Sequence, residues 1–81
     1  TAGADIAVVS RKVPEGTRIT CRANRKATIS GIHMGQIMEL MVARSGGEGG
    51  GHAGAAGWTG NIDSVDALSG IISIIMKSQG D

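Results

Sequence analysis

Val and Ile recur from Asp5 to Val13 with little polar interruption, which predicts a strand covered on both faces. Val13-Pro14-Glu15-Gly16 then sets Pro and Gly where a type I turn takes them. Thr17 to Asn24 alternates, with Ile19, Cys21 and Ala23 on one side and Arg18, Thr20, Arg22 and Asn24 on the other. Together the two stretches predict a hairpin. Its polar face carries Arg18 and Arg22, and Arg25 and Lys26 lie just beyond its end.

The period then changes. Met34, Ile37, Met38, Met41 and Val42 fall at the spacing of one helix face, with Ser30 as N-cap and Gly46 and Gly47 as the stop signal. His33 lies off that apolar stripe and reads as a surface residue without a role. Ala55 to Gly60 reads as a short strand. Asp63 and Ser64 offer a cap for a second helix, along which Val65, Leu68, Ile72, Ile75 and Met76 line one face up to Lys77 and Gly80. The β-branched run Ile71 to Ile75 leaves a strand open there as an alternative. The elements run β-β-α-β-α, an α+β domain with a small mixed sheet, and no internal repeat or linker divides residues 1–81.

Composition narrows the function. With no Phe or Tyr and Trp58 as the one aromatic residue, the core must come from Ile, Val, Met and Ala. Sequence-tolerant binding of unpaired bases generally uses several aromatic platforms, so any nucleic-acid contact is expected mostly at the backbone. The net charge of +1 conceals a basic segment: Arg11, Lys12, Arg18, Arg22, Arg25 and Lys26 stand against the single acid Glu15. A solvated face is the plain alternative. One cysteine allows no internal disulfide and, with two distant histidines, no zinc spacing. No apolar stretch reaches the ~18 residues of a membrane span, and no signal peptide is visible, so a cytoplasmic protein without membrane partners is expected. The chain begins at Thr1, which fits removal of an initiating Met or a piece of a longer chain.

Residues 46 to 57 carry the chemistry. Seven of these twelve are glycine, and His52 directly follows Gly49, Gly50 and Gly51. Glycine permits φ > 0 and close approach of another molecule, and main-chain N–H groups in such a loop form concave nests for anions, phosphate above all. A flexible linker is the alternative. The spacing Gly49, Gly51, Gly54 satisfies the dinucleotide fingerprint, but that motif follows a strand and opens a helix, the reverse of the order here. The acids are scattered, so the chain builds no metal cage and looks non-catalytic by itself. What remains is an anion-binding set of a glycine nest, His52 and guanidinium groups able to grip phosphate through paired hydrogen bonds.

Gly49-Gly50-Gly51-His52, followed after two residues by Ala55-Ala56-Gly57, is similar to the signature of the DHHA1 domain, the C-terminal substrate-binding module of the DHH phosphoesterase superfamily. The longer run Gly46 to His52, preceded by Gly31-Ile32-His33-Met34-Gly35-Gln36-Ile37-Met38, looks most like archaeal RecJ-like single-strand exonucleases. The resemblance implies a phosphate held by Gly49, Gly50, Gly51 and His52, and a nucleic-acid backbone gripped by Arg22 with Arg25 nearby. Core packing is the plain explanation for Trp58, and stacking on a terminal base is the lesser alternative.

The resemblance further implies a separate DHH domain, absent from this chain, whose Asp and His ligands hold divalent metal, Mn²⁺ or Mg²⁺. No cofactor is expected on residues 1–81. The partners implied are single-stranded DNA or RNA, oligonucleotide phosphates and that DHH domain, and the parent would be a Mn-dependent single-strand exonuclease or phosphodiesterase. Small-nucleotide enzymes of the superfamily are a close variant. The alternatives are a non-catalytic scaffold module of a RecJ-like protein in a replication or repair complex, and the DHHA1 segment of alanyl-tRNA synthetase.

Overall fold

A computed structural model describes residues 6–79. Asp5, the expected first residue of the leading strand, and Gly80, the expected stop of the last helix, lie outside the described residues. The elements are β1 (Ile6–Val13), β2 (Gly16–Ala23), α1 (Arg25–Ile29), α2 (Met34–Ser45), β3 (Glu48–Gly51), β4 (Ala55–Gly60) and α3 (Ser64–Gln79). The α+β class is as expected, with α1 and β3 added to the predicted order. The four strands form one sheet in the order β1-β2-β4-β3, and every neighbouring pair is antiparallel.

β1 and β2 make the hairpin, with Val13 opposite Gly16 and Ile6 opposite Ala23. β1 departs from the expectation of a strand covered on both faces: it lies at the sheet edge, its residues alternate toward solvent, and Val9 is 62% exposed. A two-layer domain covers only one face of its sheet, so this apolar run reflects strand propensity more than burial. β2 alternates as its sequence does, with Thr17, Ile19 and Cys21 buried and Arg18, Thr20 and Arg22 exposed. Buried Thr17 is satisfied by donating to the Ile62 carbonyl at 2.7 Å.

α1 escapes sequence reading because five residues carry no resolvable period. The Asn24 side chain starts it by accepting from the Ala27 N–H at 2.9 Å, and Ser30 ends it. Ser30 is therefore a C-cap, not the expected N-cap of the next helix. That role belongs to His33, whose Nδ1 accepts from the Gln36 N–H at 3.1 Å, so His33 has a structural function. The α2 stripe behaves as predicted: Met34, Ile37, Met38 and Met41 are buried, and Gly46, at φ 75°, terminates the helix.

α3 begins at the expected cap, the Asp66 N–H donating to Asp63 Oδ1 at 2.9 Å. Its buried face differs. Ala67, Gly70, Ile71, Ile74 and Ile75 point inward, whereas Val65, Ile72 and Met76 are 74%, 49% and 67% exposed. Apolar residues extend more than halfway round this helix, so two adjacent stripes fit the period. Close packing selects the one with Ala67 and Gly70, where a Cβ on Gly70 would lie 3.3 Å from the Met41 side chain.

The core lies between the inner sheet face and α2 and α3, centred on Ile19, Cys21, Trp58, Met38 and Ile71. Burial pushes the Cys21 thiol up to about 11. Among the described residues, no helix is long and apolar enough to cross a membrane.

Candidate functional site

Residues directly opposite in an antiparallel pair share a face, so the register lays out the uncovered side of the sheet. One row runs Ala7, Arg22, Ala55; the next Val9, Thr20, Gly57, Gly50; the third Arg11, Arg18, Thr59, Glu48. Arg11, Arg18, Thr20 and Arg22 are all exposed. The middle of the floor is nearly free of side chains, because Gly57 and Gly50 sit opposite each other and a Cβ on Gly50 would meet nothing within 4 Å.

The glycine run is where the structure departs most from expectation. Gly49 and Gly50 are extended residues of β3, hydrogen-bonded to β4, and positive φ occurs at Gly46, Gly47 and Gly51 instead. Extended backbone does not form the concave turn that a phosphate nest requires. The absent side chains serve packing instead: a Cβ on Gly49 would come within 3.3 Å of the Met38 side chain and 3.2 Å of the Trp58 ring. A strand made almost wholly of glycine has no side-chain alternation, so nothing in its sequence marks it as one.

His52 opens the turn between β3 and β4. Its ring is exposed, but its main chain is engaged: the N–H donates to the Ala55 carbonyl at 2.7 Å, and its carbonyl accepts from the Gly35 N–H at 2.9 Å. The Ala53 carbonyl accepts from the Met34 N–H, and the Gly54 carbonyl from the Ala23 N–H, each at 2.9 Å. This turn therefore straps the start of α2 to the end of β2. It also uses up the donors at that helix start, since the Gln36 and Ile37 N–H groups are taken by His33.

Arg22 lies opposite Ala55, at the same end of the sheet as His52, and borders a shallow hollow of about 340 Å³ shared with Ile6, Ala7, Ala23, Asn24 and Gly54. Arg25, the first residue of α1, is exposed just past Asn24. Arg22, Arg25 and His52 thus gather at one end, joined to the glycine strand by the His52 turn. Trp58 does not join them. It is fully buried, and its Nε1 donates to the Gly46 carbonyl at 2.9 Å, so Trp58 packs in the core and the lesser alternative of base stacking is corrected.

The sequence places Arg18 beside Arg22 on the polar face of β2, and the structure adds what holds it in place. Its Nη1 donates to Thr59 Oγ1 at 3.0 Å, and its guanidinium lies over β4, where a Cβ on Gly57 would stand 3.0 Å from Nη2. Nothing local in the sequence pairs Arg18 with residues forty positions away. Among the described residues, no three of His, Cys, Asp and Glu converge.

The family model of the DHHA1 domain matches residues 1–78. The chain belongs to the DHHA1 family. DHHA1 domains are accessory domains of DHH-family phosphoesterases and generally associate with a DHH domain and with nucleic-acid or nucleotide substrates. Comparison with curated proteins gives no match. In this DHHA1 domain the helices cover one sheet face, and the other presents arginine over a glycine floor.

Proposed function

We propose that this DHHA1 domain is the substrate-binding part of a RecJ-like phosphodiesterase that acts on single-stranded nucleic acid or short oligonucleotides. The carrying observation is the sheet face without helices, on which Arg11, Arg18 and Arg22 surround a floor of glycine and alanine. Arg11 stands directly opposite Arg18, an arrangement of like charges that costs stability and that a bound polyanion would relieve.

Arg22 and Arg18 are four residues apart on one strand, roughly 13 Å, which suits an extended backbone more than a single phosphate. Arg22, Arg25 and His52 take phosphate oxygens at one end of this track by charge-assisted hydrogen bonds. The open edge of β3 adds main-chain groups beside them. Orientation and charge neutralisation are this domain's share of the reaction. Bond cleavage and its metal belong to the companion DHH domain.

The test is binding of a hexathymidylate strand at low salt, followed by fluorescence anisotropy. Binding is expected to weaken steadily as salt rises, because phosphate contacts release counterions. Arg22→Ala and His52→Ala are each expected to reduce it. If both variants bind like the parent chain, the site is wrong.

A further inference from the structure

The geometry points to Arg18 as a stacking platform for a nucleobase of the bound strand, in addition to any role as a charge. This inference rests on the proposed binding of single-stranded nucleic acid. It adds a base subsite at the centre of the sheet, away from the His52 and Arg22 end.

Three observations carry it. First, the guanidinium reaches from β2 across β4, with Nη2 and Cζ at 3.0 and 3.5 Å from the Cβ position of Gly57. A Cβ at position 57 would make the guanidinium give by a few tenths of an ångström, so glycine there lets it sit closest to the strand. Second, the group is anchored, because Nη1 donates to Thr59 Oγ1 at 3.0 Å and Thr59 is the direct neighbour of Arg18 across the strands. An arginine held this way loses less entropy on binding than one free in solvent. Third, its outer side is open. Arg18 is exposed, no helix covers this face, and Gly50 beside Gly57 leaves space toward β3.

A planar cation anchored beside a glycine floor and exposed to solvent is chemically suited to an unstacked base. Guanidinium planes stack on bases much as aromatic rings do, with attraction between the cation and the π-system. The need is specific to this chain. Trp58 is buried and the chain has no Phe or Tyr, so among the described residues no Phe, Tyr or Trp ring is exposed to stack a base, and the exposed imidazole of His52 lies toward the other end of the sheet. Glu48, opposite Thr59 on the same face, places an acid on the β3 side of the subsite.

The experiment compares two hexameric single strands, hexathymidylate and an abasic strand with the same phosphates, for the parent chain, Arg18→Lys, Gly57→Ala and Arg22→Ala. Stacking is expected to give the base-bearing strand about tenfold tighter binding by the parent chain, as for one stacked base. Arg18→Lys keeps the charge and removes the plane, so this preference is expected to fall to about twofold or less while abasic binding changes little. Gly57→Ala keeps Arg18 but makes its guanidinium give by a few tenths of an ångström, with a smaller loss of the same preference expected. Arg22→Ala is expected to weaken both strands equally. Near-ultraviolet circular dichroism of Trp58 checks that each variant is folded. An unchanged base preference in folded Arg18→Lys overturns the platform and leaves phosphate binding standing. Failure of both strands to bind the parent chain overturns the binding reading and the platform with it.

Discussion

The two faces of the sheet are made by alternate residues of the same strands, yet they meet opposite fates. On β2, Ile19 and Cys21 are wholly buried, while Arg18, Thr20 and Arg22 between them face solvent. On β4, Trp58 fills the core while its neighbours Gly57 and Thr59 support the Arg18 guanidinium from the other side. The inner face contributes area removed from water. The outer face contributes little to stability and carries like charges side by side. A sheet covered by helices on one face alone lets a small domain keep an open binding surface directly on its most rigid element.

The sharpest break in this contrast is Trp58→Ala. Losing a fully buried indole is expected to cost about 3–5 kcal/mol, read from urea unfolding, enough to endanger folding of a domain this small. Arg22→Ala, on the opposite face, is expected to leave unfolding within about 0.5 kcal/mol of the parent chain. Its effect should appear in oligonucleotide affinity, falling about tenfold for a lost charge-assisted contact. A large stability loss in Arg22→Ala, or full affinity, would erase the distinction between the faces.

His33 tests the seam between the layers. His33→Ala removes the side-chain cap of α2 and is expected to cost about 1 kcal/mol, with His33→Asn restoring most of it. Oligonucleotide affinity should remain within about twofold, since the main-chain strap from His52 and Ala53 to α2 is retained. The inner face is also tested by the effect of pH on Cys21. Its thiol titrates higher in the folded chain than in the unfolded one, so its contribution is complete below pH 9.0 and is lost as pH rises toward about 11. Parallel unfolding of the parent chain and Cys21→Ala between pH 8 and 11 is expected to show the steeper decline in the parent chain.

Local chemistry alone determined the β1–β2 hairpin, the α2 stripe, the Asp63 cap and the α+β class, because alternation, helical period and capping residues act over a few positions. Arg22 and His52 were likewise visible as residue types suited to anions, as was the resemblance carried by Gly49 to Gly57. What required the tertiary structure was every feature set by partners distant in the chain. Gly49 and Gly50 became a strand because β4 offered hydrogen bonds and because Trp58 and Met38 left no room for a Cβ at position 49. α3 turned Ala67 and Gly70 inward because α2 lay close against it, and Trp58 was claimed by the core rather than by a ligand. Arg18 acquired its fixed position through Thr59 and Gly57. A glycine carries no side chain to announce its surroundings, so in this chain the most glycine-rich segment was the one whose conformation depended most on its neighbours in space.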